Sequence, residues 1–180
     1  MTIQDEVAQL IHIAPQAPDY VLPDGATQAQ LEDFTSRTGM IIPVKLAEWL
    51  HLCNGPRIGP GGIFGMSPLD EDLLIESYLL SSPSWKEKGW IPVAGDGCGN
   101  VFVLDSASTF GDGNLIYFVD KDEGYETASY TVASDIWHFL RFLLLKDVKK
   151  SKWPFNKEEV LSVDTTLLHY TGDVPLPWES

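Results

Sequence analysis

The sequence predicts an α+β domain, with helices packed on a mostly antiparallel sheet of about four to six strands. Three observations predict it. Apolar residues recur at helical spacing in segments whose ends are marked by capping residues. Between residues 90 and 132, short apolar runs alternate with glycine and aspartate turns that leave room only for hairpins. A chain of 180 residues, 44% hydrophobic with 15 Gly and 12 Pro, has the make-up of a turn-rich globular protein rather than a disordered one. At that length it can bury roughly 70% of its unfolded surface.

The elements follow in order. Residues 2–13 read as an amphipathic helix with Ile3, Val7, Leu10 and Ile11 on one side. Thr2 is its cap, and Asp5 takes the place of the usual Glu of a capping box. A proline- and glycine-marked connector covers 14–18 and continues to 23–25. Thr27 then caps a second helix to residue 38, with Leu31 and Phe34 inward and Gly39 as its stop.

The best-marked stretch is 43–53. Pro43 suits the first helical position. Leu46, Trp49, Leu50 and Cys53 stack at i, i+3, i+4 and i+7 into one apolar stripe, and Asn54-Gly55 is expected to end the helix in left-handed conformation.

Residues 56–65 are too rich in glycine for a helix and predict a loop leading into a short strand at 62–66. Helical periodicity returns over 70–80, followed by a loop over 81–89 with one helical turn around Trp85. Strands are expected at 90–94, 100–105, 115–119 and 126–132, consecutive and antiparallel. Ser134 is expected to cap a core helix to residue 145, with Ile136, Phe139, Leu140 and Leu143 inward. The basic patch 146–152 complements that helix's negative end. A last helix is expected over 156–169, and the tail 172–180 has no core of its own. The chain shows no internal repeat and reads as a single domain over 1–180.

Composition excludes several functions. A formal net charge of −14 and a pI near 4.4 argue against nucleic acid or an anionic membrane as direct ligand, because both repel such a surface. They favour a basic protein partner, although acidity also serves solubility alone. No apolar run approaches the ~20 residues needed to cross a bilayer. With Asp5 and Glu6 early and no early Lys or Arg, a signal peptide is not expected, and the expected location is cytoplasmic. Cys53 and Cys98 are too few for a disulfide framework and read as reduced thiols.

Candidate chemistry fails on spacing. Gly95-Asp96-Gly97-Cys98-Gly99-Asn100 lacks the sixth glycine and following helix of a dinucleotide loop, and reads as a tight turn between strands. His51 and Cys53 project roughly 200° apart on a helix and cannot share a proton. His12, His138 and His169 lack metal-ligand spacing. In Asp120-Lys121-Asp122-Glu123-Gly124 the glycine comes one place too early for a calcium loop, and position twelve is Thr131 rather than Glu. No nucleophile-elbow, Walker or zinc signature occurs. The expectation is a protein that is not an enzyme and holds no metal or cofactor.

Several of these residues also carry a resemblance. Leu31-Glu32, Gly39, Ile42-Pro43, Trp49-Leu50 and Asn54-Gly55 form one block. Trp90-Ile91-Pro92-Val93-Ala94, Gly97, Gly99-Asn100 and Val101 to Asp105 form a second. The strand 115–122 and helix 134–145 close the pattern. Together they resemble the SMI1/KNR4 family of the SUKH superfamily, over about residues 28–145, with segments 1–27 and 146–180 as extensions.

That resemblance implies a SUKH-like α+β fold and no shared catalytic residues. It further implies a bacterial immunity protein that neutralises a cognate toxin by direct binding, or alternatively a regulatory scaffold or ligand-binding module. With the −14 charge, the expected partner is a basic toxin domain such as a nuclease. The candidate contacts are Asp120, Asp122, Glu123 and Glu126, with Tyr125 as aromatic anchor. Asp70, Glu71 and Asp72 form a second set, and Arg57 with its glycine loop is expected to rim the same face. A solvated acidic surface is the simpler reading of the same residues.

Overall fold

The first two helices are closed by their own side chains. In the computed structural model, which describes residues 1–14, 20–149, 153–154 and 156–179, α1 spans Ile3–Ile13. Thr2 Oγ1 accepts from the Asp5 N–H at 3.1 Å, and the Asp5 carboxylate accepts from the Thr2 N–H at 2.9 Å. Helix α2, Gln28–Thr38, repeats the device with Thr27 and Gln30 and ends at Gly39, whose φ of 74° places it in the left-handed region. Of the residues expected inward, Val7, Leu10 and Ile11 in α1 and Leu31 and Phe34 in α2 are buried, while Ile3 packs against the core only in part.

Helix α3, Val44–Leu52, buries Leu46, Trp49 and Leu50, with Cys53 just beyond it. Pro43 stands before the helix at ψ 149°, as its cap residue and not in its first turn. The helix ends on an extended Cys53; Gly55, two residues on, is left-handed at φ 74° as expected, but Asn54 is not. Tertiary partners explain the difference. The Asn54 N–H donates to the Asp24 carbonyl at 3.2 Å, and the Asn54 side chain holds Met66 at both its N–H and its carbonyl. Gly25 lies so close under the end of α3 that a methyl group there would overlap the His51 carbonyl.

Four strands form one antiparallel sheet in chain order: β1 Trp90–Gly95, β2 Val101–Asp105, β3 Ile116–Val119 and β4 Tyr130–Ala133. Their residues are buried almost throughout, so both faces are covered. Phe102 and Phe118 pair across β2 and β3, and Phe139 packs 4.9 Å from Phe102. Phe139 belongs to α6, Ile136–Lys149, against which α1 and α3 also pack. Helices α4, Ile75–Ser81, and α5, Ser84–Lys88, lie against β1, and α7 spans Lys157–Val163.

Each sheet edge is partly covered by neighbouring chain, which reduces the open hydrogen-bonding groups that invite aggregation. On β1, Phe64 donates to the Val93 carbonyl at 2.8 Å. On β4, Thr131 donates to the Pro175 carbonyl at 2.8 Å. The tail therefore docks on the sheet, with Leu176 buried.

Four expected elements differ. The strand over 62–66 is reduced to single bridges at Ile63 and Gly65, because Asn54 claims Met66. The helix over 70–80 is broken at Leu74, which is extended and bridges Gly65; a 3-10 turn at Glu71–Leu73 precedes α4. The fourth strand begins only at Tyr130, since Glu126 is tied to Ser84 and Lys88 instead of a strand partner. The last helix splits at Asp164 into α7 and a 3-10 turn, Thr165–His169.

The cap of α6 also differs. Asp135 accepts from the His138 N–H at 2.9 Å, whereas Ser134 Oγ donates to Asp164 at 2.7 Å. The connector at 15–18, the end of the basic patch at 150–152 and Ser180 lie outside the described residues.

Candidate partner-binding surface

The β1–β2 turn is an Asp-centred knot. Asp96 Oδ1 accepts the N–H groups of Cys98 at 2.7 Å and Asn100 at 3.1 Å. Gly97, at φ 81°, lies against the Pro60 backbone, where a side chain would clash. The glycine-rich loop after α3 is thereby seated on this turn.

The β3–β4 loop starts beside the same turn. Lys121 donates its N–H to Asn100 Oδ1 at 3.0 Å and its ammonium to the Cys98 carbonyl at 2.6 Å. The loop then crosses to α5, which packs on β1 at the far edge of the sheet from β4. Tyr125 fixes the crossing. Its hydroxyl donates to the Gly99 carbonyl at 2.8 Å, its carbonyl accepts from Trp85 Nε1 at 2.6 Å, and its ring meets Trp85 edge-on at 5.9 Å. An exposed aromatic ring, 37% accessible, is thus held rigidly on a buried one.

The acidic candidates are not equivalent. Glu126 is tied by Lys88 at 3.1 Å and Ser84 at 2.9 Å, and those hydrogen bonds lower its pKa. Glu123 accepts from Ser129 at 2.7 Å, and Asp120 accepts the Asp122 N–H at 2.8 Å. Arg57 is ion-paired with Asp70 and reaches Asp72 at 3.6 Å, while Asp70 also caps its own 3-10 turn. Asp122 and Glu71 are exposed carboxylates.

Beside the second set stands a residue the sequence did not single out, whose hydroxyl donates to the Asp72 carbonyl at 3.4 Å. Tyr78 of α4 stacks on Phe64 at 4.2 Å between ring centroids, and it stands within electrostatic reach of Asp72, Tyr125 and Arg57. Its only signal in the sequence is its place in the helical pattern over 70–80.

A second polar cluster lies under α6. Lys45 Nζ bridges Asp135 at 2.7 Å and Asp112 at 2.9 Å, and His138 Nδ1 lies 2.9 Å from Asp135. Burial opposes the charge on Asp135, but the hydrogen bond and charge of His138 and the Lys45 ammonium outweigh it and hold the carboxyl well below its usual range. Burial likewise opposes charging of His138, and Asp135 and Asp164 overcome it and raise its pKa. Fully buried Asp164 is raised by desolvation despite its bonds from Ser134. Ser134 is bonded to Asp164 rather than to His138, so these residues do not form a nucleophile–base relay. Among the described residues, no group of three His, Cys, Asp or Glu side chains converges as a metal site.

The two thiols are distinguished by environment. Cys53 is buried and desolvation pushes its pKa up to about 12, whereas Cys98 is exposed in the β1–β2 turn. Native protein is expected to release one equivalent of thionitrobenzoate from Ellman's reagent, with the second appearing only on denaturation. Rapid release of two equivalents would contradict the burial of Cys53.

The fold and this rim define an α+β domain whose exposed functional candidates sit on loops held by the end of one sheet. Residues 25–141 match the SMI1 / KNR4 family (SUKH-1), and the chain belongs to that family. Its members typically bind partner proteins and are generally non-enzymatic. No curated relative matches the chain. No helix among the described residues is long and apolar enough to cross a membrane.

Proposed function

We propose that this protein is an immunity protein that binds and neutralises a basic toxin domain, such as a nuclease, through the rim carrying Tyr125. The observation that carries the reading is the exposed Tyr125 ring, held by Gly99 and Trp85 and preceded in the same loop by Asp122 and Glu123. Tyrosine is among the residues in which interface hot spots are enriched, and one already fixed in place loses little freedom on binding. The −14 charge supplies long-range attraction to a cationic groove and speeds encounter. The inhibitor then occupies the groove where the toxin's polyanionic substrate would lie.

Within this reading the residues divide by role. Asp122 and Glu71, whose carboxylates point into solvent, steer the partner. Tyr125 and Tyr78 hold it, and Arg57 keeps Asp70 and Asp72 in position. Glu126 secures the loop to α5.

The test is capture at low salt, followed by function. The captured domain must be toxic when expressed alone and harmless when co-expressed with this protein. Replacing Asp122, Glu123 and Tyr125 together by Ala is expected to weaken the complex by about 3 kcal/mol or more, with the charge losses in the on-rate and the Tyr125 loss in the off-rate. Unchanged affinity would move the interface elsewhere. A partner that is not toxic, joined to a growth defect on deletion of this protein, would favour the regulatory scaffold.

A further inference from the structure

The other end of the strands carries a surface of different character. The 106–115 loop joins β2 to β3 at the end opposite the 96–100 turn on which Tyr125 rests. Beside it stand Ile41, 76% exposed, and Val44, 73% exposed. They form an apolar ridge where the chain enters α3, and each flank of the ridge is hollow. On one side a groove of about 420 Å³ runs between α2 and the start of α3, floored by Leu31, Ile42 and Ala47. On the other, a hollow of about 280 Å³ is bounded by Val44, Thr109, Asp112 and Asn114. Ile41 lines both.

Charge decides what can cover this ridge. Glu32 rims the groove, Glu48 follows Val44 by one turn on α3, and Asp112 is 88% exposed at the far hollow. Lys45, the cation lining the second hollow, is already engaged by Asp112 and Asp135. A second copy of the chain would bring the same carboxylates against these and add another −14 of net charge. An anionic bilayer meets the same repulsion. A helix with apolar side chains one turn apart and Lys or Arg at its borders is complementary in both respects, since its apolar residues can straddle the ridge.

We propose that the Ile41–Val44 ridge and its two hollows dock a basic amphipathic helix of a partner protein, at a surface separate from the Tyr125 rim. The two surfaces lie at opposite ends of the strands, so both can be occupied at once. The proposal does not rest on the toxin reading.

The test is titration of ¹⁵N-labelled full-length protein with a synthetic Leu/Lys helical peptide about four turns long, near physiological salt. Amide shifts are expected to be saturable and confined to residues 28–48 and 106–114. Combined Ile41→Ser and Val44→Ser removes apolar surface without altering charge, and is expected to weaken binding about tenfold or more. Both side chains stand in water, so circular dichroism of the double variant should match the parent. A peptide of equal charge with Leu replaced by Ser is expected not to bind, which checks the proposal independently of any variant. The Asp122, Glu123 and Tyr125 alanine variant is expected to bind the peptide as the parent does.

Shifts centred on residues 120–126, equal binding of the Ser/Lys peptide, or no saturable shift would each overturn the proposal. So would sedimentation as a dimer that the Ile41→Ser, Val44→Ser variant converts to monomer, because the ridge would then be covered by a second copy.

Discussion

Asp135→Ala is expected to destabilise the fold by about 3–5 kcal/mol, measured as the shift in urea-unfolding free energy near neutral pH. Three losses coincide at one side chain. Its carboxylate caps α6 through the His138 N–H, pairs with His138 Nδ1, and bridges Lys45. The Asp135 side chain is only 5% exposed and that of Lys45 21%, so truncation leaves a largely buried ammonium facing Asp112 alone. Removing one member of such a pair costs more than the pair contributes, because the remaining charge must stay desolvated. Asp135→Asn keeps an acceptor for the cap and is expected to cost less. Equal losses in the two variants would mean that the charge, not the cap, is what matters.

The same cluster sets the sign of the pH dependence. His138 has a raised pKa, so its contribution is fully present below the usual histidine value of about 6.5 and is lost as pH rises through the raised value. Asp135 has a lowered pKa, so its contribution is present above the usual carboxylate value of about 3.9 and is lost as pH falls through the lowered value. Asp164, raised by burial, favours the fold while protonated, and that contribution is lost as pH rises from the usual carboxylate value of about 3.9 through its raised value. The His138–Asp135 pair should therefore contribute most between about pH 4 and 6.5, and stability should fall toward alkaline pH as His138 loses its proton. In Asp135→Asn the alkaline fall should shrink, since His138 keeps only the Asp164 charge. An alkaline limb identical to the parent's would remove His138 from the account.

The second large effect is expected at Trp49. It is 1% exposed on the buried stripe of α3 and meets Trp137 of α6 edge-on at 6.2 Å. Trp49→Ala empties the seam between those helices and is expected to cost about 3–5 kcal/mol. Its indole N–H is buried without a hydrogen-bond acceptor among the described residues. Such an unmade bond costs about 1–3 kcal/mol, and phenylalanine removes it while keeping most of the ring. Trp49→Phe is therefore expected to cost about 1 kcal/mol or less, well short of the alanine loss. Both are read by far-ultraviolet circular dichroism during urea unfolding, which does not depend on tryptophan emission. A phenylalanine variant as unstable as the alanine one would show that the smaller ring does not fill the seam and that the unmade N–H bond is not a cost.

The candidate surface was partly legible in the sequence. The acidic turn, Tyr125, Asp70 to Asp72 and Arg57 all lie on loops or turns, and of the second set Asp72 receives the Tyr78 hydroxyl at its carbonyl at 3.4 Å. What could not be read was which acids are engaged. Glu126 meets Lys88 across 38 residues and Arg57 meets Asp70 across 13, and no local pattern reports such pairings. Nor does local pattern place the Ile41–Val44 ridge: Ile41 reads as an apolar residue like its neighbour Ile42, yet only Ile42 packs on the core.

By itself, the sequence determined the elements whose causes are local. The capping boxes of α1 and α2, the left-handed stop at Gly39, the buried stripe of α3 and the order of antiparallel hairpins each follow from residues a few positions apart. Tertiary structure alone decided where elements are cut short. Asn54 takes Met66 from a strand, Gly65 draws Leu74 out of a helix, and Asp164 breaks the last helix while binding Ser134. In each case a buried hydrogen bond from a residue distant in sequence outweighs a helix or strand preference worth a few tenths of a kcal/mol, roughly, per residue.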